Sequence, residues 1–214
     1  MEILVFNCFN FLLFKFFNKI ETWELLESQI GEITYKNFSV AKYDSILENA
    51  MASGGRIYSA AYIIPSGSKQ KYKGVRKHQF HLLLLDSLMK SHLPQQLHEA
   101  GTMESAFKIL LSIESLGPFL AYQFITDLNY ADHFSFSESE FVVPGPGALD
   151  GIRKCFINLG EYSQKDVIKM MYEEQNEHFS NEGCDFMSLW GRPLQLIDCQ
   201  NIFCEVDKYS RVAH

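Results

Sequence analysis

The first residues of the chain, MEILVFNCFNFLLFKFFNKI, are mostly apolar, and they constrain the fold more than any other stretch. A membrane-spanning helix needs about 18 or more consecutive apolar residues, and Asn7, Asn10 and Lys15 interrupt the run. Glu2 stands where a signal peptide would carry basic residues, and no small-residue cleavage motif follows. The segment therefore predicts an amphipathic helix buried in a protein core, with a membrane anchor as the weaker alternative.

The rest of the chain also predicts helices, because apolar residues recur at helical spacing and glycines such as Gly31 and Gly54 end the runs. One segment, RIYSAAYIIPSG, suits a strand or a helix equally. With 47% hydrophobic residues the chain can bury a sizeable core. We therefore expect an all-α fold and a single domain over residues 1–214, and we leave open that the C-terminus is truncated. The predicted helices are NKIETWELLESQIG, DSILENAMASGG, QFHLLLLDSLMKSHL, TMESAFKILLSI, FLAYQFITDLNYA, QKDVIKMMYEEQNEHF and a long C-terminal helix after GRP.

The five cysteines are odd in number and form no C-x-x-C motif. This usage predicts free thiols in a reducing compartment, the cytoplasm or, in a eukaryote, the nucleus. His78 and His81 are three residues apart with no acidic neighbour in the sequence. We therefore expect no metal site and no cofactor.

The charge of the chain is unevenly distributed. The net charge is −7, yet no Asp or Glu occurs from Asn49 to Leu85. Such a segregated basic segment on an acidic body suits contact with a phosphate backbone, and a solvated loop is an equally good interpretation. The segment contains Arg56, Lys69, Lys71, Lys73, Arg76 and Lys77, a local charge of +6.

The stretch SLGPFLAYQ, residues 115–123, joins two predicted helices. Pro118 suits the first helical position, where its missing N–H has no helical partner to lose. Gly117 would permit a tight turn and the close approach of a phosphate. The free amides and the dipole of the second helix could then hold an anion. An ordinary corner between antiparallel helices is the alternative.

About thirty residues downstream, FVVPGPGALDGIRKCF places a Gly/Pro-rich loop before Asp150, which we expect to open a helix. Hairpin, connecting helix, Gly/Pro-rich loop and aspartate follow the order of the helix-hairpin-helix DNA glycosylases, which implies a catalytic role for Asp150. The alternative is an acid that complements the helix dipole. Phe119 stands where bifunctional enzymes of that superfamily carry a nucleophilic lysine, so the resemblance implies monofunctional chemistry. Cys184, Cys199 and Cys204 have the wrong spacing for the iron–sulfur cluster of some relatives, and we expect none.

Several motifs together resemble one particular family. It is the family of alpha-glutamyl/putrescinyl thymine pyrophosphorylase, also known as the helical domain of 5-hydroxymethyl-deoxyuridine DNA kinases. The resemblance implies a glycosylase-like helical fold and a role on modified pyrimidines in DNA. The chain contains no G-x-x-x-x-G-K-[ST] motif, so we expect no P-loop phosphotransfer from it. The motifs are FFNKIETWELLE, AYIIPSG with the later RKH, LGPFLAYQFITDLNY, FVVPGPGALDGIRKCF and LWGRPLQLIDCQNIFCEVDKYSRVAH.

The C-terminal helix places polar residues on one stripe. Gln200, Asp207 and Arg211 share a face if the helix is continuous, and they could line a pocket that reads a base edge. An exposed face with an Asp207–Arg211 pair is the alternative. Tyr122 and Trp190 could stack on an extruded base, although aromatic residues at such positions are more often part of a core.

These observations predict an enzyme that binds double-stranded DNA and flips out a modified pyrimidine. The main expectation is a monofunctional DNA glycosylase that cleaves the N-glycosidic bond. The first alternative is base hypermodification, in which an amine replaces pyrophosphate on a hydroxymethyluracil and the glycosidic bond survives. The second alternative is a non-catalytic reader of modified bases.

Overall fold

The structure is a computed structural model that describes residues 1–68, 70–189 and 191–213, the side chain of Ala213 excepted. Within these residues the fold is all-α, as predicted, and the one β-type pairing is an isolated bridge between Leu189 and Arg192. The chain divides into two compact units, Met1–Ser135 and Phe136–His214. The predicted single domain over residues 1–214 stays a prediction.

Unit 1 contains seven α-helices and a short 3-10 helix in its described part. Its core is built on α1, whose buried side chains include Phe9, Leu12 and Phe16. The predicted burial of the N-terminal helix is thereby confirmed. The helices are α1 Glu2–Phe17, α2 Ile20–Ile30, α3 Val40–Ala52, α4 Lys77–Lys90, α5 Leu93–His98, α6 Met103–Leu111 and α7 Pro118–Leu128, with the 3-10 helix at Tyr35–Asn37.

Unit 2 contains α8 Pro146–Cys155, α9 Gln164–Asn181 and α10 Leu196–Ala213. The closest packing is between α8 and α10, and glycine makes it possible. A Cβ added at Gly151 would lie closer than 3.0 Å to the carbonyl oxygen of Phe203, and one at Gly147 would lie 3.2 Å from Cys204 Sγ. The two glycines are four residues apart, so both face α10.

Local sequence signals fix several helix ends. The hydroxyls of Ser39, Thr102 and Ser163 accept backbone N–H groups at the starts of α3, α6 and α9, which satisfies amides that the helices leave unpaired. Gly31 ends α2 with φ +83°, a conformation that glycine adopts without a steric penalty.

The ambiguous segment RIYSAAYIIPSG is neither helix nor strand. Ile57 and Ile64 are buried, and the residues between them run outward in a loop. The segment follows neither the helical nor the strand period, because Ile57 and Ile64 are its only buried residues and lie seven positions apart.

Among the described residues, no helix combines the length and the apolar character that crossing a membrane requires. The same residues contain no group of three or more His, Cys, Asp or Glu side chains arranged to hold a metal ion. His78 does have acidic neighbours, which come from α3: its Nε2 lies 3.0 Å from Asp44 Oδ1 and 3.3 Å from Glu48 Oε2. The predicted absence of an iron–sulfur cluster stays a prediction.

Candidate nucleic-acid interface

The turn between α6 and α7 begins the second helix abruptly, as its sequence predicts. Pro118 occupies the first turn of α7, and Gly117 is the N-cap with no side-chain hydrogen bond to the helix. The first amides of α7 therefore have no intrahelical acceptor and no side-chain cap. The backbone of this turn does not require glycine at position 117, however, and the predicted close approach of a phosphate to Gly117 stays a prediction. The left-handed residue is Ser115, with φ 71°, whereas Gly117 has φ −77° and open space where a Cβ would stand.

The basic segment is attached to this turn through one carboxylate. Glu114 Oε1 accepts the N–H of Ser68 at 2.8 Å, and Glu114 Oε2 lies 3.2 Å from Lys71 Nζ. Ser115 Oγ also donates to the carbonyl oxygen of Ser66 at 3.4 Å. Two elements that the sequence singled out separately, the Leu-Gly-Pro turn and the basic segment, therefore lie side by side in unit 1. We call the residues 66–68, 70–73 and 114–119 together the turn face.

The six cations of the basic segment are not equivalent. Arg76 is bound by Asp44 at 2.6 Å and by Glu48 at 2.8 Å, both on α3. Lys77 Nζ lies 4.4 Å from the ring centroid of Tyr58, and burial lowers the pKa of this lysine. The charge of +6 that the sequence gives for this segment is therefore partly neutralised by acidic residues from other elements. A count of charges along the sequence cannot show such pairing.

Two of the cations remain on the surface of the turn face. The Lys71 side chain is 65% exposed despite its ion pair with Glu114, and Lys73 is exposed as well. Gly67 packs between aromatic rings, and a Cβ there would come closer than 3.0 Å to Phe80 and Tyr72. Lys69, which the sequence also predicts as a DNA contact, lies outside the described residues.

Of the two predicted base-stacking residues, Tyr122 is not accessible. Tyr122 is 1% exposed and belongs to the core of unit 1. A base could reach it only after local opening, so the alternative reading of Tyr122 as a core residue fits its position. Trp190 lies outside the described residues.

In unit 2, Asp150 lies in the second turn of α8 and does not open the helix as expected. Pro146 occupies the first turn, so the helix begins earlier than the position of the acid suggests. The Asp150 carboxylate is 55% exposed and pairs with Arg153 at 2.8 Å, one turn along the same helix. It is therefore an accessible, ion-paired carboxylate.

The stripe on α10 is continuous, but its buried members are engaged with α8. Gln200 is 1% exposed, and its Oε1 accepts the N–H of Gly145 at 3.1 Å. Asp207 is 5% exposed and lies between Lys154 at 2.7 Å and Arg211 at 2.9 Å. The hydrogen bond from Lys154 lowers the pKa of Asp207. The predicted base-reading role of these side chains stays a prediction, since their observed contacts join two helices.

Lys154 is a partner of the α10 stripe that the sequence analysis missed. Its Nζ donates both to the carboxylate and, at 3.3 Å, to the backbone carbonyl of Asp207. The two residues are 53 positions apart, and no local pattern in GIRKCF indicates such a partner. The ion pair between Lys154 and Asp207 depends on the close approach of α8 and α10. In the sequence, only the positions of Gly147 and Gly151 indicate that approach.

The fold and the turn face define an all-α protein with a basic loop bound to the start of a helix. This chain belongs to the family described as the helical domain of 5-hmdU DNA kinases, whose model matches residues 5–214. The resemblance drawn from the sequence motifs is thereby confirmed. Comparison with curated proteins and with solved structures gave no match. The kinship with helix-hairpin-helix glycosylases stays a prediction.

Proposed function

We propose that this chain binds double-stranded DNA through the turn face and presents a 5-hydroxymethylated pyrimidine for modification. The observation that carries the proposal is the junction of the Leu-Gly-Pro turn with the basic segment through Glu114. The family description, which names a kinase of 5-hmdU DNA, supports the identity of the substrate.

The chemistry of the turn face suits a phosphate. The first amides of α7 and the positive end of its dipole favour an anion. Lys71 lies on the surface at that turn, and Lys73 is exposed two residues further along the same loop. The backbone of DNA offers a row of phosphates, and each cation that neutralises one releases a counterion. In this proposal a phosphate replaces Glu114 as the partner of Lys71.

Base hypermodification is better supported than cleavage of the glycosidic bond, which the sequence predicted as the main activity. The family description names a DNA kinase and no glycosylase. A carboxylate that stabilises an oxocarbenium-like charge works best in a site without water. Asp150 is more than half exposed and already paired with Arg153, which does not favour that role.

We retain Asp150 as the candidate catalytic residue in the hypermodification chemistry. An amine would attack the exocyclic methylene of a pyrophosphorylated hydroxymethyluracil, so that a C–N bond forms and the C–O bond to pyrophosphate breaks. The amine loses a proton in this step, and an exposed carboxylate can accept it. The glycosidic bond remains intact.

Mass analysis of the DNA after incubation tests the proposed chemistry. The full chain is incubated with duplexes that contain thymine, 5-hydroxymethyluracil or its pyrophosphorylated form, with and without a primary amine. We expect the pyrophosphorylated nucleotide to be converted, only when the amine is present, into a nucleotide whose mass corresponds to replacement of the pyrophosphate group by the amine. Release of free base would instead identify a glycosylase, and binding without any mass change would identify a reader.

Substitution of Asp150 by Asn tests the assigned residue. Because the side chain is exposed, we expect the fold and DNA binding to be retained, while the rate falls by at least about two orders of magnitude, as for loss of a key charged group. Glu205→Gln is the matched control, since Glu205 is an exposed acid paired within a helix of the same unit. Equal rates for Asp150→Asn and the parent would exclude Asp150 from catalysis.

A further inference from the structure

A short apolar loop is exposed in unit 1. Residues 60–63, Ala-Ala-Tyr-Ile, are all exposed, and Tyr62 and Ile63 keep 40% and 54% of their surfaces accessible. The flanking residues Ile57 and Ile64 are buried. Consecutive exposed apolar residues on a folded protein mark a binding function more often than chance exposure does. We call residues 60–63 the apolar tip.

The stems of the apolar tip are fixed to the core of unit 1. The carbonyl oxygen of Ile57 accepts the hydroxyl of Thr22 at 2.9 Å. The two ring nitrogens of the fully buried His81 lie 2.9 Å from the Tyr58 hydroxyl and 3.2 Å from the Pro65 carbonyl oxygen. One histidine therefore holds both stems, and the tip extends from a fixed base.

Tyr62 connects the apolar tip to the turn face. Its ring stacks on Phe119, in the first turn of α7, with centroids 5.9 Å apart and planes inclined by 8°. Lys15 Nζ lies 5.2 Å from the centroid of the Tyr62 ring. The backbone of Tyr62 has φ 56°, a left-handed conformation that is costly for a residue with a bulky side chain. The contacts with Phe119 and Lys15 hold the ring in place despite this backbone conformation, which points to a use for the exposed ring.

The charges around the apolar tip select the partner. Along the sequence the tip lies in the acid-free segment from Asn49 to Leu85, between Arg56 and Lys71. In the structure Lys15 lies at the Tyr62 ring and pairs with Asp127, and Glu21 and Glu24 lie beside Ala60 and Arg56. Nucleic acid complements both the exposed ring and the positive charges, because a base offers a face for stacking and its flanking phosphates offer negative charge. The strength of binding to a membrane surface increases with the apolar area that is buried. The two large side chains of the tip, Tyr62 and Ile63, bury little such area, so a membrane is the weaker candidate.

We propose that the apolar tip inserts Tyr62 and Ile63 into an opened base step of DNA, with the Tyr62 ring stacked on a base. This rests on the proposed binding of DNA by the turn face, since the phosphates held there would bring the base step to the tip. Apolar side chains can enter a base step and unstack it. The ring is already ordered by Phe119 and the strained backbone, so little side-chain freedom is lost on binding.

Two signals measured on one duplex test the proposal separately from DNA binding. The full chain is titrated into a duplex with 2-aminopurine beside a 5-hydroxymethyluracil and a dye at one end. Dye anisotropy reports binding, and 2-aminopurine fluorescence reports unstacking. We expect the parent to bind and to raise the fluorescence. Tyr62→Ala and Ile63→Ala should abolish most of the rise, and Tyr62→Ala should weaken binding roughly fivefold to a hundredfold, the range for one base–aromatic stack.

Tyr62→Trp should preserve the fluorescence rise, because indole also stacks. Tyr209→Ala and Ile157→Ala are controls for loss of an exposed apolar side chain, since these residues are 76% and 109% exposed in unit 2. Binding with an equal fluorescence rise in the parent and in both alanine variants of the tip would overturn this inference and leave the proposed function intact. Absence of DNA binding by the parent would overturn both. Loss of anionic vesicle binding in Tyr62→Ala, with unchanged fluorescence, would assign the tip to membranes instead.

Discussion

At the scale of single residues, His81 is the clearest example of a side chain whose environment dictates its protonation. It is fully buried, and the rings of Phe16, Phe17 and Phe80 surround it. Because the Pro65 carbonyl can only accept, Nε2 carries the hydrogen and Nδ1 accepts the Tyr58 hydroxyl. Desolvation lowers the pKa of His81 to about 4.

The lowered pKa of His81 predicts a loss of stability in acid. Above pH 6.5 the histidine is neutral in both states, whereas between pH 6.5 and 4 the unfolded chain binds a proton that the folded chain does not. We expect the free energy of unfolding to fall across this window by up to about 3 kcal/mol. Denaturant titrations at several pH values measure this change.

His81→Asn should be less stable at neutral pH and should lose the part of the pH dependence between 6.5 and about 4. His92→Asn is the control, because His92 is exposed and its left-handed backbone suits asparagine. Nearby Lys77 and His78 also disfavour a charged His81, and both remain in the variants. Identical pH dependence in the parent and in His81→Asn would show that His81 is not the titrating group.

The roles of individual residues were predicted well where they depend on local backbone chemistry. Pro118 begins α7 as its missing N–H suggests. Roles that depend on distant partners were not predictable. Glu114 reaches Ser68 across 46 positions, and neither residue has a local pattern that indicates the contact.

At the scale of elements, the turn face is held together by an anion of the protein itself. Glu114 neutralises Lys71 and accepts the amide of Ser68, a position that a phosphate could take. The hydrogen bond from the Ser68 amide lowers the pKa of Glu114, so the carboxylate stays ionised. It therefore competes with DNA for the same cation.

Glu114→Gln should strengthen DNA binding by a few-fold. The side-chain oxygen of the glutamine can still accept the N–H of Ser68, while Lys71 no longer has a carboxylate that competes with DNA. Glu104→Gln on α6 is the matched control, as Glu104 pairs with Lys108 one turn away. Affinities measured at one fixed salt concentration compare the two variants. Equal affinities for both variants and the parent would contradict competition at Lys71.

The packing of α8 against α10 makes a second prediction at this scale. Alanine favours a helix over glycine by roughly 1 kcal/mol, yet a Cβ at Gly151 would collide with the Phe203 carbonyl. Since overpacking costs about 1–3 kcal/mol, we expect Gly151→Ala to destabilise unit 2. Gly147→Ala meets a flexible Cys204 side chain and should cost less. Thermal unfolding of the parent and of the two variants measures these costs. Equal melting temperatures for the parent and Gly151→Ala would show that α8 and α10 can move apart without loss of stability.

The helices themselves were predictable, because their apolar period and their caps are local signals. The interpretation of RIYSAAYIIPSG remained open because its exposed apolar tip has the composition of a buried strand. The relation between α8 and α10 was not predictable in detail, although the Gly-x-x-x-Gly spacing of Gly147 and Gly151 permits close approach.

At the scale of the whole molecule, the distribution of charge matters more than its sum. A chain with net charge −7 repels DNA at long range, so binding depends on a local surface that opposes the average. The turn face supplies exposed Lys71 and Lys73, whereas Arg76 and Lys77 are committed to other partners. The basic segment was predicted from the sequence. The structure shows that fewer of its cations are exposed for contact with DNA than the sequence suggests.

The most direct test of the central claim is the salt dependence of DNA affinity in a Lys71→Gln/Lys73→Gln double variant. Each phosphate contact contributes about 0.9 to the slope of log K against log salt, so we expect the slope to be smaller by up to roughly two units, with an unchanged melting temperature. Lys90→Gln is the control, because Lys90 is an exposed, ion-paired lysine at the opposite end of α4 from the basic segment. An unchanged slope in the double variant, or an equal reduction in Lys90→Gln, would contradict DNA binding by the turn face.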